Sequence, residues 1–240
     1  MDFIIVYIMS YLKKFFSIVH LYLRWVKRNI NDFFNPKEHL DISFDSLEFV
    51  YINLDHRKDR KFEIESEFHK LGIKNFKRFS AIKNSFGALG CALSHESVLK
   101  DAKYRFINTV VCEDDATFLV NRETLENIVS EFYKDSRLDV LCLAYNEFNK
   151  IHVSSKFYIS SNIQTMAFYL AKPYVLHDLC NVAKKSIYGL ENGGSEEVYA
   201  IDQVWKTLQQ KYIFCIPFTR AVQQRPSYSD IRSQEVNYGA

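Results

Sequence analysis

Residues 107–115 read Ile-Asn-Thr-Val-Val-Cys-Glu-Asp-Asp. The first six, rich in β-branched and apolar residues, predict a buried strand. Three carboxylates follow at once. Held together at a strand end, they repel one another, and their pKa values rise unless a cation is near. A divalent cation with oxygen ligands relieves that repulsion, and Mg²⁺ or Mn²⁺ keeps positions open for substrate phosphates. Open α/β sheets bind ligands at the carboxyl ends of their strands. An isolated Glu-Asp-Asp reads first as a solvated acidic turn; the strand before it brings the metal reading level with that one.

Outward from this stretch, strand and helix alternate. Leu47–Leu54, Phe76–Ala81, Leu138–Leu143, Met166–Leu170 and Tyr212–Ile216 read as strands. Lys58–Leu71, Gly87–Lys103, Arg122–Tyr133, Pro173–Lys185 and Tyr199–Lys211 read as helices. The alternation predicts an α/β sheet covered by helices. With 240 residues, only 7 Gly and 4 Pro, and no linker composition, residues 47–240 form one domain in this reading, after an N-terminal helix and connector over 1–46. A hydrophobic content of 48% excludes wholesale disorder. The net charge of +2 excludes a strong global attraction to nucleic acid.

That charge is uneven. Lys13, Lys14, Arg24, Lys27 and Arg28 stand against Asp2 in residues 1–30, a net +4. The apolar run Phe3–Leu12 is too short for a membrane span, which needs about 20 residues, and its flanks are wrong for a secretory signal. On a helical projection the five basic residues fall within an arc of about 140°. Ile4, Ile5, Ile8, Leu12, Phe15, Phe16, Val19, Leu23 and Val26 lie opposite, while Phe3, Val6, Met9 and Leu21 interrupt the polar side. This predicts a basic amphipathic helix lying on an anionic membrane surface, with a helix packed on the domain or a weak signal anchor as the alternatives. The five cysteines, odd in number and without a Cys-x-x-Cys pair, predict reduced thiols and a cytoplasmic location.

Two further motifs carry polar chemistry. Asn53-Leu54-Asp55-His56-Arg57-Lys58-Asp59-Arg60 follows the first strand. Asn53 and Asp55 suit a base or ribose, and Arg57 and Arg60 suit phosphate. Gly87-Ala88-Leu89-Gly90-Cys91-Ala92-Leu93-Ser94-His95 opens a helix with glycines that permit close backbone approach. Ser94 and His95 meet either a donor phosphate or acceptor hydroxyl, or serve the packing of a buried helix.

In order and spacing, FVYINLDHRKDR, RFSAIKN, GALGCALSHESVLKDA and VVCEDDATF resemble glycosyltransferase family 25, which includes lipooligosaccharide and procollagen galactosyltransferases. TMAFYLAKPYVLHDL, Ile201-Asp202, Pro217, Gln223 and Ser229-Asp230-Ile231 resemble its later segments. The family's Asp-Gly is Lys83-Asn84 here, in a shortened loop, and residues 1–46 have no counterpart. The resemblance implies a GT-A-type, Rossmann-like mixed sheet and transfer of a hexose, galactose first, from a UDP-sugar to a hydroxyl of a glycan, glycolipid or glycoprotein. It further implies inversion and Mn²⁺ or Mg²⁺. Asp115 and Glu113 would hold the metal, with Glu113 and Asp114 also near the donor. Asp202 is the expected base, with Asp178 and Glu196 as rivals. A nucleotide-sugar-binding protein without catalysis and a metal-dependent phosphohydrolase are the competing classes.

Overall fold

The structure, a computed structural model, describes residues 2–36, 41–147, 149–229 and 234–236. Asp230 and Ile231 of the terminal signature lie outside them. Helix α1 (Asp2–Phe34) precedes β1 (Glu48–Asn53), α2 (Lys58–Lys70) and β2 (Phe76–Ser80). Then come α3 (Gly87–Arg105), β3 (Thr109–Glu113), the short β4 (Ala116–Phe118) and α4 (Arg122–Lys134). Four strands follow: β5 (Val140–Glu147), β6 (Lys150–His152), β7 (Phe157–Ser160) and β8 (Ile163–Ala171). The chain continues through α5 (Leu176–Glu191), the single turns α6 (Glu196–Tyr199) and α7 (Ile201–Val204), and β9 (Phe214–Pro217). It reaches β10 (Val222–Gln224), β11 (Ser227–Ser229) and β12 (Gln234–Val236).

Eight strands form one mixed sheet in the order β2-β1-β3-β8-β5-β9-β7-β6. β1 runs parallel to β2 and β3, β5 runs parallel to β9, and β8 lies antiparallel between β3 and β5. Strand alternation sorts the core into two layers. Phe49 and Tyr51 face Phe68, Phe132 and Phe168 on the α2/α4 side. Val50, Ile52 and Val111 face Ala92, Leu99, Leu179 and Trp205 on the α3/α5 side. The expected α/β sheet flanked by helices and preceded by an N-terminal helix is therefore what the chain builds.

The helix expected over 199–211 is instead the short α7 followed by a 3₁₀ segment, Trp205–Gln210. Trp205 Nε1 and Gln209 Nε2 both donate to Ile163 O, and Gln209 Oε1 accepts from Ile163 N. Three-residue winding stacks Trp205 over Leu208 against the sheet, which satisfies this edge.

α1 reverses the expected use of its basic arc. Leu21, fully buried, and Trp25 share a core cluster with Leu47 and Phe49. Arg24 donates to the carbonyls of Gln209 and Tyr212 at 2.7 and 2.8 Å. Arg28 forms a forked pair with Asp139, whose side chain is wholly buried. Arg137 stacks over Trp25 at 4.7 Å. Arg24 and Arg28 therefore bind the domain rather than facing outward. Lys13, Lys14 and Lys27 stay exposed, as do Tyr7, Tyr11, Phe15, Phe16, Leu23 and Phe33. Among the described residues no helix is long and apolar enough to cross a membrane.

Candidate active site

Glu113 is the last residue of β3, and Asp114 and Asp115 form the turn into β4. All three open on one cavity of about 670 Å³ at the carboxyl ends of β1 and β3. Their partners divide the labour. Asn53 Nδ2 donates to Asp114 Oδ2 at 2.7 Å, and Arg60 Nη1 to Asp114 Oδ1 at 2.8 Å. With both oxygens engaged, Asp114 ties β1 and α2 to the triplet. Glu113 and Asp115 instead converge on Gln224, whose Nε2 lies 3.2 Å from Glu113 Oε2 and 3.4 Å from Asp115 Oδ1. Arg60 Nη1 is 3.6 Å from Asp115 Oδ2.

Burial pushes the Asp115 carboxyl up to about 7, with the Glu113 charge adding to the rise and Arg60 opposing it. Burial raises Asp114 too, against Arg60. With one shared amide nitrogen as their nearest donor, and Arg60 shared between Asp115 and Asp114, the two carboxylates are left short of positive charge. They fit an oxygen-ligated divalent cation, and Glu113 and Asp115 are the residues that would hold it.

Asp202 opens α7 on the same cavity. Burial raises its pKa, Lys206 lowers it, and Glu113 raises it further. It also accepts from the Thr165 backbone and the Gln164 side chain. Thr165 has φ +78°, a left-handed conformation that a β-branched residue rarely adopts. Its hydroxyl donates to Gln224 Oε1 at 3.1 Å. Thr165 thus joins Asp202 to the amide that spans Glu113 and Asp115. Backbone strain of this kind persists where the surroundings over-determine it, often at functional sites.

Other expected residues sort clearly. His95 lines the cavity beside Glu113, and Glu196 lies on the Asp202 side. Ser94 also lines it, yet its hydroxyl donates to Gly90 O and accepts from Ile82 N, so it fixes α3 to the loop before it. A Cβ at Gly90 would meet Ile82 O at 2.6 Å, so close backbone approach requires glycine there. Asp55 is outside the cavity lining, held by Arg78 and Ser80, whose bonds lower its pKa. Arg57 is also outside, paired with Asp59. Asp178, bonded to Lys211 and Tyr212, lies away from the cavity. Sequence reasoning missed Thr165, Gln164, Glu197 and Gln224. It singled out Gln223, but alternation along β10 turns its neighbour Gln224, 5% exposed, onto the carboxylates.

No protein-family model matches the chain, and no curated protein does. Solved structures resemble it in shape. A mannose-1-phosphate geranyltransferase from Thermus thermophilus is 12% identical, with 75% of this chain and 74% of that one covered and a TM-score of 0.43. A mannosyltransferase from Pyrobaculum calidifontis in complex with GDP-Man and Mn²⁺ is 9% identical, with 90% and 68% covered and a TM-score of 0.45. A glycosyltransferase involved in the glycosylation of the major capsid of PBCV-1 is 9% identical, with 72% and 92% covered and a TM-score of 0.37. At such identities the functional reading rests on this chain's own residues.

Proposed function

We propose that this chain is a GT-A-type glycosyltransferase of the family 25 kind. It transfers galactose from UDP-galactose to an acceptor hydroxyl, with inversion and with Mn²⁺. The observation that carries this reading is the placing of Glu113 and Asp115 at the end of β3 and of Asp202 across one cavity. Its volume falls within the roughly 300–1,000 Å³ usual for small-ligand sites. Among the lining residues, His56, Arg60, Lys83 and Asn84 suit a nucleotide diphosphate, while Glu196, Glu197 and Gln203, close to Asp202 in the chain, suit a polyhydroxyl acceptor.

The reaction is one displacement. The acceptor oxygen bonds to the anomeric carbon as the bond from that carbon to the diphosphate oxygen breaks. Asp202 takes the hydroxyl proton. Its raised pKa brings it nearer the value that suits a general base at neutral pH. Arg60 stands beside the charge left on the diphosphate. Mn²⁺, when bound by Glu113 and Asp115, supplies further positive charge there. The outward face of α1, aromatic and bearing Lys13 and Lys14, favours an acceptor carried on anionic lipid.

The test is UDP release from UDP-galactose and UDP-glucose with Mn²⁺, with and without glycan and glycolipid acceptors. Acceptor-dependent release, abolished by EDTA, is expected. Acceptor-independent hydrolysis would replace the transferase with a phosphohydrolase. A thermal shift with UDP-sugar but no turnover would leave a binding protein.

A further inference from the structure

Cys91 and His95 are four residues apart on α3, so both side chains lie on one helix face. That face meets the end of β3. Cys91 Sγ, a ring nitrogen of His95 and a carboxylate oxygen of Glu113 lie within 4.8 Å of one another. His95 is 1% exposed, and its Nε2 has no hydrogen-bond partner. That nitrogen is 3.5 Å from Glu113 Oε1, while Nδ1 is 3.4 Å from the Tyr169 hydroxyl. A buried polar atom left without a partner is costly, and this one points at two further metal-ligand types.

We propose that Cys91, His95 and Glu113 form a second cation site, one for Zn²⁺ rather than for Mn²⁺ or Mg²⁺. Thiolate and imidazole donors select the softer, borderline metal, whereas the oxygen pair Glu113 and Asp115 suits the hard one. Tetrahedral zinc, with bonds of about 2.0–2.3 Å, separates its ligand atoms by about 3.5 Å. His95 and Glu113 already stand at that spacing. The sulfur closes the remainder, at most about 1.3 Å, by side-chain rotation. The Tyr169 hydroxyl at Nδ1 is the outer partner that fixes the ring of a ligating histidine. All three ligands line the cavity, so the fourth position opens toward substrate or water, as in catalytic rather than structural zinc sites. Metal entry forms the metal–sulfur bond, breaks the S–H bond and releases the proton to solvent, with no change of oxidation state. Glu113 belongs to both sites, so zinc seated on Cys91 and His95 competes with the cation held by Asp115.

The site does not depend on the transferase reading, and its test needs no substrate. Metal-free full-length chain is titrated with CoCl₂ as a spectroscopic probe and ZnCl₂ as competitor. A near-ultraviolet thiolate-to-Co(II) charge-transfer band should grow to a single Co²⁺ per chain and be displaced by Zn²⁺. Cys91→Ser should abolish the band. His95→Gln should weaken Co²⁺ binding by at least about tenfold, a loss typical even of an outer-sphere partner. Asp115→Asn should keep the band, which separates this site from the oxygen pair. Co²⁺ binding without a thiolate band, or a band that survives Cys91→Ser, would overturn the proposal. Should Cys91→Ser fail to fold, alkylation of Cys91 in the unaltered chain decides it. ZnCl₂ should protect that thiol, and an unchanged alkylation rate overturns the site.

Discussion

Replacing Asp115 by asparagine removes one charge and keeps the side chain's shape, including the oxygen that accepts from Gln224 Nε2. The Asp115 carboxyl is pushed up to about 7 from an ordinary 3.8. The folded chain therefore holds a proton that the unfolded chain releases. The resulting stability is fully present below pH 3.8 and is lost as pH rises through about 7. Each pKa unit corresponds to about 1.4 kcal/mol, so ionisation costs the metal-free protein about 4 kcal/mol at most by pH 8. Asp115→Asn escapes that cost, which is already net of the attraction of Arg60 at 3.6 Å, so a gain of up to about 4 kcal/mol is expected. For a chain of this length, each kcal/mol moves Tm by roughly 2–4 °C. Thermal unfolding in EDTA should thus show the variant up to roughly 8–16 °C above wild type at pH 8 and about level with it at pH 4. Mn²⁺ should raise wild type and leave the variant unmoved, and the variant should lose UDP-galactose turnover. A variant less stable at pH 8, or a Tm difference independent of pH, would refute the account of a strained carboxylate pair.

Asp202→Asn should lower kcat by about 10²–10⁴ with donor affinity little changed, and a loss confined to donor affinity would move Asp202 to the binding wall. Arg28→Ala leaves the buried Asp139 without its paired cation and should cost about 3 kcal/mol in urea unfolding; a change under about 0.5 kcal/mol would mean that Leu21, Trp25 and Arg24 hold α1 without it. Replacing Phe15 and Phe16 by serine should weaken binding to anionic vesicles while leaving Tm unchanged, since both rings are exposed; unchanged vesicle binding would place the lipid contact elsewhere.

The sheet was readable because each strand is either a continuous apolar run or a clear alternation, as in Leu47–Leu54 and Ile107–Cys112. The short β4, β6, β7 and β10 were not, because three or four residues carry too little periodicity to stand out from loops. α1 shows a subtler failure. Its arginines suggested an outward polar face, but Leu21 interrupted that face, and Leu21 is the residue with no exposure at all. Met9 interrupts the same face and stays exposed, so the interruption alone does not mark a docking face, whose partner here, Asp139, is more than a hundred residues away. The site repeats this pattern. Glu113, Asp114 and Asp115 stood out as a contiguous triplet behind a strand. Gln224 and Thr165 reach the same cavity through register and a left-handed backbone, neither of which leaves a local signature.

The position of Gln224 in the chain also sets when the site comes into being. Its partners Glu113 and Asp115 precede it by 111 and 109 residues. At about 5–20 residues per second of synthesis, the triplet emerges roughly 5–20 s before the strand that bridges it. In that interval β1, α2 and β3 are already made, and Asn53 and Arg60 are present to engage Asp114. Glu113 and Asp115 still await their shared donor. The nascent chain thus passes through a stage in which the carboxylates and the β2-β1-β3 part of the sheet are made while the strand that bridges Glu113 and Asp115 is not. Until Gln224 arrives, solvent or a cation is what offsets the repulsion between that pair.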